Sequence, residues 1–167
     1  ILARTPGERS AMNVYAASKA AAWQFARMYG RTQAWPLHGG MIFQAYGPGQ
    51  PERAFIPAAF RAAMAGEDFP MTAGTQQRDW IFGADVAAGL DAPLTPGTTV
   101  ELGTGQATSL AEVAQLIYDV AGRGGRPLPG ALSSRPGEEA SQIANVRQTA
   151  VSIQWQAAIS LRQGLTL

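Results

Sequence analysis

The sequence contains no cysteine. That excludes disulfides, thiolate nucleophiles and cysteine-ligated metals, and it fits a reducing compartment. Histidine occurs once, at His38, so a histidine-rich metal cluster is impossible. The acidic residues are too scattered to suggest an oxygen-ligand site either, and no metal is expected. Excess charge is missing as well: 13 basic against 12 acidic residues leave a net charge of +1. This argues against nucleic acid or a membrane surface as a partner. No apolar run approaches the ~20 residues of a membrane span and no signal-peptide pattern is visible, so a cytoplasmic protein is expected. Lysine is nearly absent: Lys19 is the only one, and the other basic residues are arginine.

What is present is a chain of 167 residues with 46% hydrophobic content, enough for one domain with a real core. It opens at Ile1 without methionine and reaches a helical pattern within about a dozen residues. A mature natural start and a fragment or trimmed chain both fit that opening.

Residues 1–14 are polar, contain Pro6-Gly7 and read as loop. From about Asn13 to Tyr29 the chain is alanine-rich and free of glycine and proline, which predicts a helix stopped at Gly30. Trp35 to Phe43 reads as a buried strand, and Tyr46 to Pro51 as loop. A second helix is expected over 54–65, then strands over 69–72 and 77–82, then a helix to about Leu90 capped by Asp85. Pro93 and Pro96-Gly97 break it. Thr98 to Leu102 reads as strand, and Ser109 with Glu112 is a capping box opening a helix to about Ala121. Gly122 to Gly130 and Arg135 to Glu139 read as loops, with short helices over 145–153 and from Ser160. Short strands mixed with helices predict an α/β chain.

The chemistry concentrates at Tyr15 and Lys19. Four residues apart on a helix, their side chains lie side by side. A positive charge beside a phenol favours the phenolate. Such a tyrosine can exchange a proton with a substrate hydroxyl or carbonyl, which suits alcohol oxidation with hydride passing to a cofactor. The bland alternative is an ordinary exposed helix pair.

Read together, YAASK, AYGPGQ, FIP, QQRDWIF, ELGTGQATSL, RPGEE and the closing Trp155 with Ser160-Leu161 resemble the extended short-chain dehydrogenase/reductase family. More narrowly, they resemble the NAD-dependent epimerases and dehydratases of nucleotide sugars, isomerases and lyases by reaction. Order and spacing resemble that family's C-terminal half from Tyr15 to the end. The resemblance implies the C-terminal part of a Rossmann-type domain plus a smaller α/β substrate-binding region. Residues 1–50 would be the remnant of the dinucleotide domain. Residues 51–167 would be mainly substrate-binding, with a segment at about 77–92 returning to the Rossmann part.

By the same resemblance, Tyr15 is the catalytic acid/base, and Lys19 activates it and holds the ribose of NAD or NADP. The loop Gln44 to Gln50 lies against cofactor and sugar nucleotide. Phe55-Ile56-Pro57 covers the substrate, and Arg78 and Arg135 clamp its diphosphate, a role their planar forks suit. Arg78 could instead pair with Asp79 or Asp85, and Arg135 could be a solvated loop arginine. Asp79 is expected to hold the strand-to-helix turn. The Tyr/Lys helix would help form a homodimer, leaving Trp23, Phe25 and Met28 partly exposed in a monomer. His38 reads as a packed or interface histidine, Trp80 and Phe82 as strand packing, and Glu138-Glu139 as a solvated turn.

Departures from the family pattern qualify these expectations. Met41 stands where the family carries arginine, Gln44 where it often has asparagine, and Asp85 alone where it has an acidic pair. The stretch Asp91 to Thr98 looks shortened. The family's Gly-x-x-Gly-x-x-Gly dinucleotide turn does not occur, and Gly103-Thr104-Gly105 is too short to replace it. The Ser or Thr partner of the catalytic tyrosine normally lies well upstream, yet only fourteen residues precede Tyr15. Ser18, beside Lys19 on the helix, is no substitute. The expectation is therefore a truncated, C-terminal half without turnover of its own. Two other readings stay open: a non-catalytic nucleotide-sugar binder or merely folded fragment, and a short-chain carbonyl reductase.

Overall fold

The computed structural model describes residues 14–93, 98–133 and 139–167. Of the loop expected over 1–14, residues 1–13 lie outside the described residues and Val14 already begins a helix; the break at Pro96-Gly97, and Arg135 with Glu138, also lie outside them. The described residues form two compact units, one of residues 14–39 with 98–99, the other of 40–93 with 100–133 and 139–167.

The first unit carries α1 (Val14–Thr32). Its alanine content and lack of proline make helix the favoured state. Gly30 does not stop it, contrary to expectation. A Cβ on Gly30 would stand 3.1 Å from the Leu37 Cβ, so a small residue is needed where the chain folds back against the helix. The turn that follows is fixed by Gln33 N–H donating to the Tyr29 carbonyl (2.9 Å) and Trp35 N–H donating to the Gly30 carbonyl (3.1 Å).

The strand expected over 35–43 is shorter and divided. β1 (Gly39–Ile42) pairs with β6 (Thr99–Leu102), whereas β2 (Gln44–Tyr46) pairs with β5 (Trp80–Phe82). The change of neighbour falls at Phe43. There the Ala45 N–H donates back to the Phe43 carbonyl at 2.8 Å, a three-residue kink. β2 and β5 run parallel, with Gln44 opposite Trp80 and Tyr46 opposite Phe82.

In the second unit α2 (Phe55–Ala65) ends at Gly66, which takes the left-handed conformation (φ 71°). β3 (Phe69–Met71) follows as expected. The strand expected over 77–82 is two, β4 (Gln77–Arg78) and β5. They part at Asp79, whose N–H donates to the Gln142 carbonyl (3.0 Å) and whose carbonyl accepts from Gln44 N–H (2.9 Å). α3 spans Gly83–Asp91. Asp85 does not cap it: Phe82 stands at the cap position without a side-chain bond. The Asp85 carboxylate instead accepts from Ile159 N–H at 2.9 Å. One turn into the helix, it is placed to tie down the C-terminal segment rather than its own first turn.

β7 (Thr108–Ser109) and β9 (Ser141–Gln142) flank β4, antiparallel and parallel respectively, and β8 (Pro127–Pro129) lies parallel to β3. α4 (Leu110–Ala121) opens with the predicted capping box. α5 (Val146–Ile153) and α6 (Leu161–Gly164) close the chain, and Ser160 forms a second capping box with Gln163.

The core of this unit sits between α2, α4 and β5. Ile56, Ala59 and Ala63 recur on one face of α2, and Val113, Ile117 and Tyr118 on one face of α4. Trp80, Phe82 and Tyr46 fill the space beneath them; Tyr46 meets Phe82 edge-on at 5.5 Å. Each fully buried side chain of this kind contributes about 1.5–3 kcal/mol. All three residues of β5 are buried, so Trp80 and Phe82 are packing residues, as the sequence suggests.

Candidate active site

In the first unit α1 brings Tyr15 and Lys19 together. The Lys19 ammonium lies 5.5 Å from the centre of the Tyr15 ring, and Tyr15 is 62% exposed. The spacing of one helical turn dictates the contact, and the exposure leaves the phenol open to a substrate. Ser18 Oγ donates to the Tyr15 carbonyl (2.8 Å), so that hydroxyl is engaged with the backbone.

In the second unit Gln44 sits at the start of β2, half-buried, in register with Trp80. Phe55, in the first turn of α2, meets Phe69 edge-on with ring centres 5.8 Å apart and lies tilted against Trp80 at 6.0 Å. Ile56 beside it is 7% exposed and belongs to the core. Arg78 is half-buried on β4, and its Nη1 donates to the Gln77 and Glu139 carbonyls (2.9 and 3.0 Å). These bonds tie the guanidinium of the central strand to the segment that leads into β9.

Asp79 is structural, but it holds a different turn from the expected one. Its buried carboxylate binds the Gly103-Thr104-Gly105 turn after β6, and Ala144. Nothing in the sequence pairs residue 79 with 104; only the parting of β4 from β5 turns this side chain inward.

The loop after β2 opens into a pocket of about 420 Å³ between Ala45, Tyr46, Pro48, Gln50, Phe82 and Ala84. Gln50 Nε2 donates to the Ala45 carbonyl (3.1 Å) and draws the loop closed, a role its place in a Gly/Pro-rich stretch did not announce. Tyr46 donates its hydroxyl to the Leu161 carbonyl (3.2 Å). Burial, and then the nearby Asp85 carboxylate, push the Tyr46 pKa up to about 12. Burial also raises that of Tyr118. Neither phenol can serve as a base near neutral pH.

The parallel strand pairs, the helices laid against them and a solvent-facing Tyr/Lys helix define an α/β protein of the Rossmann-like, short-chain dehydrogenase kind. Comparison with known proteins agrees. The sequence pattern of the "NAD dependent epimerase/dehydratase family" matches residues 3–103, and the chain belongs to that family. Among curated relatives, it is 32% identical over 114 residues to the low-salt glycan biosynthesis protein Agl12 of Haloferax volcanii. That match covers 66% of this chain and 37% of the relative. It is 36% identical over 88 residues to dTDP-glucose 4,6-dehydratase of Neisseria gonorrhoeae, covering 52% of this chain and 25% of the relative. The structure of MoeE5 in complex with UDP-glucuronic acid and NAD superposes with a TM-score of 0.84 at 29% identity, over 96% of this chain and 55% of that one. UDP-glucose 4-epimerase of Thermotoga maritima shares the fold at 19% identity (TM-score 0.83, 92% of this chain, 51% of that one). The chain thus spans 37% or less of these curated relatives and about half of these solved structures. Among the described residues no helix is long and apolar enough to cross a membrane.

Proposed function

We propose that this chain carries the Tyr/Lys pair and the substrate-binding half of an NAD-dependent nucleotide-sugar epimerase or dehydratase. The observation that carries the reading is the pairing of an exposed Tyr15 with Lys19, 5.5 Å from its ring, inside the segment that matches the family. The likeness to MoeE5, described as a complex with UDP-glucuronic acid and NAD, supports both ligand classes.

In this reading Tyr15 exchanges a proton with a sugar hydroxyl, and Lys19 favours its phenolate form and offers its ammonium to the nicotinamide ribose. Both groups fit that task, being exposed on one helix face. NAD, when bound, supplies the hydride acceptor. The functional boundary lies near residue 50. Residues 1–50 serve the cofactor. Residues 51–167 serve the substrate, with about 77–92 returning to the cofactor side. Gln44 and the following loop lie against cofactor and sugar nucleotide, Phe55 and Ile56 cover the substrate, and Arg78 and Arg135 take the diphosphate. The setting is cytoplasmic, and α1 is the homodimer face.

By itself the chain lacks the glycine-rich turn of the family and does not turn over. Incubation with NAD and a panel of uridine- and thymidine-diphosphate sugars tests this. No steady product is expected, and sustained product formation contradicts it. Light scattering tests the dimer. Phe25→Glu, on the exposed side of α1, is expected to give a monomer, and an unchanged mass contradicts the assignment.

A further inference from the structure

Apart from Trp23, named above with the dimer helix, the groove at the C-terminal end of α1 is lined by residues given no functional role of their own above. Its volume is about 550 Å³, and Trp23, Arg27, Gly30, Arg31, Trp35 and Leu37 line it, with Thr99 at one side. Positions 23, 27, 30 and 31 fall on one face of a helix, away from Phe25. Among the described residues that line it, no side chain is acidic.

Arg27 and Arg31 are one turn apart, so two like charges share that face, an arrangement a helix disfavours unless something offsets it. Neither guanidinium has a hydrogen-bond or ion-pair partner among the described residues, whereas Arg61 is paired with Glu52 at 3.1 Å. The helix C-terminus favours a cation at Arg31, but it does not account for Arg27 or for the two indoles beside them.

Both indoles are held in place. Trp23 lies over Gly39, where a Cβ would come within 2.5 Å of the ring. Trp35 is 61% exposed yet stacked on Tyr29, with ring centres 5.9 Å apart and planes 17° apart. The turn that swings it back onto the helix passes through Ala34 at φ 54°. That is a left-handed conformation a non-glycine residue adopts under strain, and such strain concentrates at ligand clamps.

Arginine forks without a partner among the described residues suit phosphate oxygens, an exposed fixed indole suits the face of a nucleobase, and the volume is that of a small-molecule site. We propose that this groove is a nucleotide-binding site, the phosphate on Arg27 and Arg31 and the base on Trp35. It is separate from the nucleotide-sugar site and independent of that reading.

Adenosine monophosphate and, separately, inorganic phosphate are titrated into the full chain while the indole N–H signals of the four tryptophans are followed by NMR. Trp23→Phe and Trp35→Phe supply the assignments. The expected result is saturable movement of the Trp23 and Trp35 signals by the nucleotide, with phosphate alone binding more weakly. Arg27→Gln/Arg31→Gln is expected to weaken nucleotide binding at least about tenfold with an unchanged melting curve, while Arg61→Ala, at the surface pair with Glu52, leaves it intact. Three outcomes overturn the proposal. They are still Trp23 and Trp35 signals up to about 10 mM nucleotide, wild-type affinity in the double variant, or phosphate binding as tightly as the nucleotide.

Discussion

Asp79 and Thr104 meet twice: Asp79 Oδ1 accepts a hydrogen bond from the Thr104 N–H and another from the Thr104 hydroxyl, both at 2.7 Å. Oδ2 accepts from the Gly105 N–H (2.8 Å) and the Ala144 N–H (3.0 Å). One buried carboxylate, 0% exposed, thereby joins the β4–β5 junction to the turn after β6 and to the segment before α5. Arg78 is the residue before it, so the same junction sets the path of the candidate diphosphate arginine.

Replacing Asp79 by alanine leaves three backbone donors and a hydroxyl without their acceptor at a buried to part-buried junction. The expected loss is on the order of 3 kcal/mol, read from denaturant unfolding. A loss under about 1 kcal/mol contradicts the structural role.

The cap of α4 makes an acid-limb prediction. The Ser109 hydroxyl, then its backbone N–H, bond the Glu112 carboxylate and hold its pKa below the ordinary 4.5. A carboxylate depressed in the folded state contributes stability that is present above about pH 4.5 and lost as pH falls through its lower folded value. Ser109→Ala should cost about 1 kcal/mol at neutral pH, and Glu112→Gln should flatten the acid limb of stability against pH. An unchanged acid limb in Glu112→Gln contradicts this.

Tyr46 governs the alkaline side. Its pKa is raised to about 12 in the fold from 10.0, so its contribution is present below about pH 10 and is lost as pH rises through about 12. Tyr46→Phe should remove one late step from the tyrosinate absorbance titration. It should cost about 0.5–1.5 kcal/mol at neutral pH through the lost bond to Leu161. Ionisation of Tyr46 at the ordinary value would show that the side chain is not buried.

Sequence reasoning reached the features that rest on local chemistry. Capping at Ser109, the stop at Gly66 and the Tyr15–Lys19 contact each depend on residues within a turn of one another. It failed where distant partners decide. Gly30 reads as a stop, yet Leu37 packing on it lets the helix continue to Thr32. Asp85 reads as a cap, yet Ile159 claims it. The strands β7, β8 and β9 hold two or three residues each, too few for an alternating pattern to appear. Gln50, in the loop expected against cofactor and sugar nucleotide, carries no local signal for its bond to Ala45.

The central claim is that the second unit holds a nucleotide-sugar site at Arg78. Calorimetric titration of the chain with uridine and thymidine diphosphates tests it directly. The expected result is saturable heat with at least one of them, lost in Arg78→Ala and retained in Arg61→Ala, whose arginine pairs with Glu52 at the surface. Silence with both diphosphates, or heat unchanged in Arg78→Ala, contradicts it.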